Sequence, residues 1–157
     1  MLARARKAFA SNITRDVAFR KKQLRALDSL LRENKSLLID ALRNDLRKAK
    51  FESVCFELDF VHNEIKCMLM NLDKWSGPQR VGKTLMTFFD GVHIKYEPYG
   101  VILVIGAWNY PVQLSLVPLI GAIAAGNCAI LKLSELAPAT ATVLCRLLPR
   151  YLNEVCV

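Results

Sequence analysis

The chain has 157 residues, 53% apolar and 23% charged, enough for one hydrophobic core and too few for two ordinary domains. That balance excludes a disordered chain, a collagen-like repeat and a disulfide-dense mini-scaffold. The net charge of +8 is lopsided: residues 1–50 carry 14 Lys and Arg against 5 Asp and Glu, residues 51–157 carry 8 against 9, so an anionic partner has to be weighed.

Residues 1–10 read as an amphipathic first helix with Arg4, Arg6 and Lys7 among small apolar residues. No apolar core follows, so there is no secretory signal. A weak mitochondrial presequence is the other reading, because the first acid is Asp16. Asp16 to Lys50 is helical, with Phe19, Leu24, Leu27, Leu30 and Leu31 close to a three–four spacing. Asn34-Lys35-Ser36 marks a break, after which Leu37, Leu38, Ala41, Leu42 and Leu46 resume it. A third helix runs from about Phe51 to Trp75, its stripe formed by Val54, Leu58, Val61, Ile65, Met68, Leu69 and Leu72. Gly77-Pro78 ends it.

Gln79 to Lys83 is a polar connector. Leu85–Phe89 and Val92–Glu97 flank Asp90-Gly91, a strong hairpin signal. Val101–Ile105 is a continuous aliphatic run, the pattern of a strand buried on both faces of a parallel sheet. A loop over Gly106–Pro111, a helix over Val112–Ala125 disturbed by Pro118, a strand over Cys128–Leu131 and a helix over Pro138–Leu152 complete the chain. Tyr99 to Leu131 carries no charge and is long enough to span a bilayer. Its Asn, Pro and Gly residues break any lipid-exposed helix, so it reads as buried soluble structure. The fold class is therefore α/β: N-terminal helices (1–78), a hairpin arm (79–97) and the first strand–helix–strand–helix part of a Rossmann-like sheet (98–157).

The five cysteines, Cys55, Cys67, Cys128, Cys145 and Cys156, form no CxxC, and His62 and His93 stand at no zinc-ligand spacing. This pattern points to a reduced, intracellular protein without a metal. Cys55, His62 and Cys67 on one helix read as a packed face. Glu57 and Asp59 lie two apart and do not share a helix face, which argues against a hydrolase dyad. Glu154-Val155-Cys156-Val157 is not a prenylation box, since Cys is not fourth from the end.

A right-handed crossover makes the two buried strands parallel. The residues after them, Gly106–Pro111 and Lys132–Glu135, then leave the same sheet edge, where open α/β sheets bind ligands. In Trp108-Asn109-Tyr110-Pro111, Asn109 offers a neutral amide donor suited to an oxyanion; equally, it is a loop Asn capping the next helix. In Lys132-Leu133-Ser134-Glu135, the lysine is a donor to phosphate or ribose oxygens and the glutamate an acceptor from ribose hydroxyls. An exposed ion pair with Ser134 or Glu135 at a helix start is the alternative. There is no GxGxxG and no Walker sequence. Gly121 and Gly126 are expected to serve close helix packing and a C-cap.

At these residues the chain resembles the aldehyde dehydrogenase family. The similarity runs through Glu97-Pro98-Tyr99-Gly100-Val101, Val104 to Pro111, Pro118 to Asn127 and Leu131-Lys132-Leu133-Ser134-Glu135. The Trp-Asn-Tyr-Pro form, the short N-terminus and Phe51-Glu52-Ser53 resemble the class 3 branch, which oxidises fatty and aromatic aldehydes. The resemblance implies an NAD or NADP cofactor held without GxGxxG. It implies Asn109 as a donor to the thiohemiacetal oxyanion, Lys132 and Glu135 as adenosine-ribose contacts, and Trp108 and Ile105 lining that end. Glu135 favours NAD over NADP by charge. The family usually has Pro where this chain has Leu133, which loosens the ribose contacts. It implies an aldehyde substrate, a homodimer through the 79–97 arm, no nucleic acid, and a location in the cytoplasm or on the cytoplasmic face of membranes, any membrane anchoring lying in a C-terminal region these residues do not reach. The nucleophilic Cys, the general-base Glu and the catalytic domain lie beyond these 157 residues in the family, so the chain alone is expected to be inactive. The competing reading is a basic helical module, Arg4–Lys50, binding anionic membrane or nucleic acid; the commonplace reading of the same residues is a solvated helix face.

Overall fold

In the computed structural model, which describes residues 1–153, a carboxylate starts the main helical layer. Asp16 accepts from the amides of Ala18 at 3.0 Å and Phe19 at 3.3 Å, satisfying two of the free N–H groups at the start of α2, Val17–Glu33. Ahead of it lies α1, Leu2–Ala10. α2 buries Leu24, Leu27, Leu30 and Leu31. It stops at Asn34, whose side chain donates to the Leu30 carbonyl at 3.0 Å, and α3, Lys35–Leu46, begins at once. The sequence carries this helix to Lys50. The structure ends it at Leu46, because Arg47 takes the left-handed conformation at φ 57° and turns the chain.

The third helix runs without a break through α4, Lys50–Glu52, a π-helical turn, Ser53–Leu58, and α5, Asp59–Ser76. Leu58, Val61, Ile65 and Leu72 are its buried apolar residues. Nothing in the apolar spacing announces the π turn.

The expected hairpin is displaced. β1, Gln79–Arg80, pairs antiparallel with β2, His93–Ile94, and Asp90-Gly91 lies inside a long loop between them. Leu85–Thr87 is a 3-10 turn, not a strand. Thr84 and Thr87 hold it locally: the Thr84 amide donates to Thr87 Oγ1 at 2.9 Å and the Thr87 amide to the Thr84 carbonyl at 3.1 Å. Such local bonds compete with ladder formation. Leu85, Met86 and Phe89 are almost fully exposed, so no apolar face rewards a longer ladder.

β3, Val101–Ile105, and β4, Cys128–Lys132, are parallel, in register from Val101 opposite Cys128 to Ile105 opposite Lys132. The crossover is α6, Gln113–Ala124, and α7, Pro138–Tyr151, comes after β4. The charge-free stretch is thus strand, loop, helix and strand. Among the described residues no helix is long and apolar enough to cross a membrane. Pro118 lies inside α6 without ending it.

One core joins α2, α3, α5, α6 and α7 with Ala129, Ile102 and Leu131 of the sheet. The opposite sheet face is covered only near its start, where Ala5 and Ala8 of α1 meet Cys128. Leu103 and Ile105 remain 60% and 68% exposed. β3 is therefore buried on one face, not on both: among the described residues it has β4 as its single neighbour. Gly126, at φ +85°, is the residue that turns the chain after α6, and a Cβ there would lie 2.6 Å from Arg20 Nη2. Gly121 has open space where a Cβ would stand, so close packing is not its role. Glu154-Val155-Cys156-Val157, not a prenylation box by its cysteine position, lies outside the described residues.

Candidate active site

The parallel register brings Ile105 beside Lys132, and the Gly106 amide donates to the Lys132 carbonyl at 2.8 Å. The loop with Trp108 and Asn109 and the segment with Lys132 and Glu135 therefore leave the sheet at one edge. Gly106 allows a close approach here, because a Cβ would meet the Ser115 hydroxyl of α6. That approach lets the first turn of α6 lie directly against the strand end.

On one lip of this edge, Lys132 and Glu135 form an exposed ion pair. The lysine, donating to Glu135, holds that carboxyl below the ordinary carboxylate range, helped by the glutamate's own backbone amide. Ser134 is buried, and its Oγ accepts from the Leu136 amide at 3.2 Å. Neither residue starts a helix. α7 begins at Pro138, and Asp45 of α3 caps it by accepting from the amides of Ala139 at 2.9 Å and Thr140 at 2.7 Å. The helix-start alternative for Ser134 and Glu135 is thereby removed. The ion pair forms, and it leaves both groups open to solvent; Ile105, paired with Lys132 across the ladder, and Trp108 are exposed as well.

On the other lip, Asn109 is exposed and is not the cap of α6. Glu57 fills that role: its Oε2 accepts from the amides of Val112 at 2.8 Å and Gln113 at 3.2 Å. Its Oε1 takes a bond from Lys48 Nζ at 2.5 Å. The same Nζ donates to the backbone carbonyl of Asn109 at 2.8 Å and stands 3.8 Å over the centre of the Tyr110 ring. Glu57 is 0% exposed and Lys48 7%. Sequence reasoning missed this pair. Its signal was a carboxylate on the buried stripe: Glu57 stands three residues after Val54 and four before Val61.

The remaining candidates are dispersed. Glu57 is buried and Asp59 exposed, so the acids do not act together. His62 Nδ1 pairs with Asp28, not with Cys55 or Cys67. Cys128 is buried in the sheet and Cys145 exposed on α7. Among the described residues no three His, Cys, Asp or Glu stand together as a metal site.

The donor set at the edge suits a dinucleotide's adenosine end. A lysine and an ionised glutamate offer one donor and one acceptor to ribose hydroxyls, and Ile105 and Trp108 offer apolar surface to a base.

The sequence model of the aldehyde dehydrogenase family matches residues 1–151. The chain is 48% identical over 155 residues to aldehyde dehydrogenase family 3 member B1 of Bos taurus, covering 99% of this chain and 33% of the relative. It is 46% identical over 151 residues to family 3 member B2 of Mus musculus, covering 96% and 32%. It thus spans about a third of the length of the curated relatives it matches. Its fold superposes on the substrate-bound Staphylococcus aureus AldH with a TM-score of 0.96 and 38% identity, covering 99% of this chain and 34% of that one. Aldehyde dehydrogenase C of Pseudomonas syringae, in complex with NAD+ and octanal, gives a TM-score of 0.79 at 25% identity over 95% of this chain and 29% of its own.

Proposed function

The chain belongs to the aldehyde dehydrogenase family, in its class 3 branch, and from that premise we propose that it supplies two parts of an NAD(P)-dependent oxidation of fatty or aromatic aldehydes to acids. These are the oxyanion donor and the adenosine-ribose half of the cofactor site. The observation that carries the reading is the register of β3 on β4, which sets Ile105 beside Lys132 and sends both lips from one edge.

Asn109 donates its side-chain N–H to the oxygen on which charge develops; a neutral amide stays a donor at any working pH. Lys132 and Glu135 hold the ribose hydroxyls, with Ile105 and Trp108 against the adenosine. When bound, the nicotinamide dinucleotide supplies the hydride acceptor. Glu135, kept ionised by Lys132, favours the free 2′-hydroxyl of NAD over a 2′-phosphate. The catalytic cysteine and general base are absent from these 157 residues, so the chain alone carries no dehydrogenase activity. Residues 79–97 serve as the dimer arm, and the protein works inside the cell.

The basic-module reading is weaker for a physical reason. Arg20 and Lys48 are buried, and Arg15, Lys21 and Arg32 pair with Glu97, Asp73 and Asp28. Five of the fourteen basic residues in 1–50 are thereby held within the fold.

The test joins this chain in frame to the remaining two-thirds of the Bos taurus relative. There, Asn109→Ala lowers kcat about 100-fold for a lost oxyanion donor, with little change in KM. An unchanged kcat overturns the oxyanion role. Aldehyde-dependent NADH formation by the unjoined chain overturns the claim that it is inactive.

A further inference from the structure

We propose that Lys48 and Glu57 are positioning residues for Asn109, a buried clamp that sets the backbone from which the oxyanion donor projects. The inference rests on the oxyanion role of Asn109 and deepens it.

Asn109 is exposed at the tip of a loop, and a loop carries function only where something rigid holds it. The clamp grips the segment at three backbone groups within five residues. Lys48 Nζ donates to the Asn109 carbonyl, and Glu57 Oε2 accepts from Val112 and Gln113. The bond between Lys48 and Glu57 ties the two grips together, and the Lys48 charge over the Tyr110 ring holds the residue between them. Among the described residues, the side-chain hydrogen bonds of the pair outside itself go to residues 109–113.

Local geometry delivers both members. The left-handed turn at Arg47 ends α3 immediately before Lys48. The π-helical turn Ser53–Leu58 carries Glu57. Such turns insert one extra residue into a helix, re-aim the side chains around it and recur at functional sites. The other end of the loop is fixed independently by Gly106 against Ser115.

Burial argues that geometry, not stability, is what the pair provides. An ion pair taken out of water is often no more stabilising than apolar residues of the same volume, whereas breaking one partner away is costly. Here the pair is buried in a fold whose core is built from Leu, Ile, Val and Ala. A lysine and a glutamate do what apolar residues cannot: they bond a carbonyl and two amides at fixed positions.

The test uses the 157-residue chain, labelled with 15N, and measures amide hydrogen exchange residue by residue. Val104 and Ile130, whose amides face the partner strand, report global opening. Lys48→Met combined with Glu57→Gln leaves no unpaired buried charge. The expected result is exchange at Val112 and Gln113 faster by about tenfold or more relative to the sheet amides, with the Asn109 side-chain NH2 signal shifted or broadened. Lys48→Arg, which keeps a cation able to reach both partners, restores the Asn109 signal. Should the double variant fail to fold, Glu57→Gln alone, which keeps an oxygen towards α6, makes the same selective comparison. Exchange that rises equally at 109–113 and in the sheet, or failure of Lys48→Arg to restore the Asn109 signal, overturns the clamp. The two ideas fail separately: indifference of the joined enzyme to Asn109→Ala removes the oxyanion reading, whereas uniform exchange removes only the clamp.

Discussion

The two lips of the sheet edge are built in opposite ways. Lys132 and Glu135 pair in the open, with side chains 51% and 74% exposed, held by each other and by the glutamate's own backbone amide. The Asn109 lip stands on a lysine and a glutamate withdrawn from water. A surface pair exchanges readily with solvent and ligand and contributes little to stability. A buried pair with backbone partners resists motion. The contrast matches the two tasks proposed for these lips: a cofactor must come and go, whereas a donor to a transient oxyanion has to be in place before charge appears.

Breaking the buried lip should have the largest consequence. Lys48→Met alone leaves the Glu57 carboxylate buried without its cation, so urea unfolding should show a loss of about 3–5 kcal/mol; a change within experimental scatter would mean that the pair is not buried in solution. Gly106→Ala forces a methyl against the Ser115 hydroxyl and should cost about 1–3 kcal/mol. Ser115→Gly in the same chain should recover part of that loss, and no recovery would place the strain elsewhere. Removing the cap of α7 with Asp45→Ala should lower stability by about 1 kcal/mol, read from the same denaturation curve.

On the open lip the effects should be confined to binding. Glu135→Gln should leave the unfolding midpoint where it is and narrow the preference for NAD+ over NADP+. The glutamate's folded pKa is lowered, so whatever its charge contributes is complete above the ordinary carboxylate value of about 4.3. It fades only as pH falls through the lower folded value. NAD+ affinity, followed by calorimetry, should accordingly stay flat on acidification from neutral pH to the ordinary carboxylate value of about 4.3. A titration step centred on that ordinary value would show that Lys132 does not hold the carboxyl.

The same contrast explains how much residue order alone discloses. The open lip was legible: Val101–Ile105 and Cys128–Leu131 announce parallel strands, and a right-handed crossover brings the segments after the two strands together. Residues 51–75 announce a helix through spacing alone. The hairpin misled, because Asp90-Gly91 and its flanking β-formers report local preference. Pairing there is decided by whether a face is buried, and Leu85 and Met86 face water. Val101–Ile105 looked buried on both faces for a related reason: the run records what a complete sheet covers, and only one face is covered here. The clamp was the least legible element. Lys48 and Glu57 were lost among charged neighbours, since a π turn and a left-handed arginine leave no mark on the apolar spacing.

The central claim is that both lips border one crevice that takes a dinucleotide. Titrating NAD+ into the 15N-labelled chain and mapping the shifted amides tests it most directly. The account predicts saturable shifts clustered at Ile105, Trp108, Lys132 and Glu135, lost with Lys132→Met. Shifts at other surfaces, or none at millimolar NAD+, would contradict it.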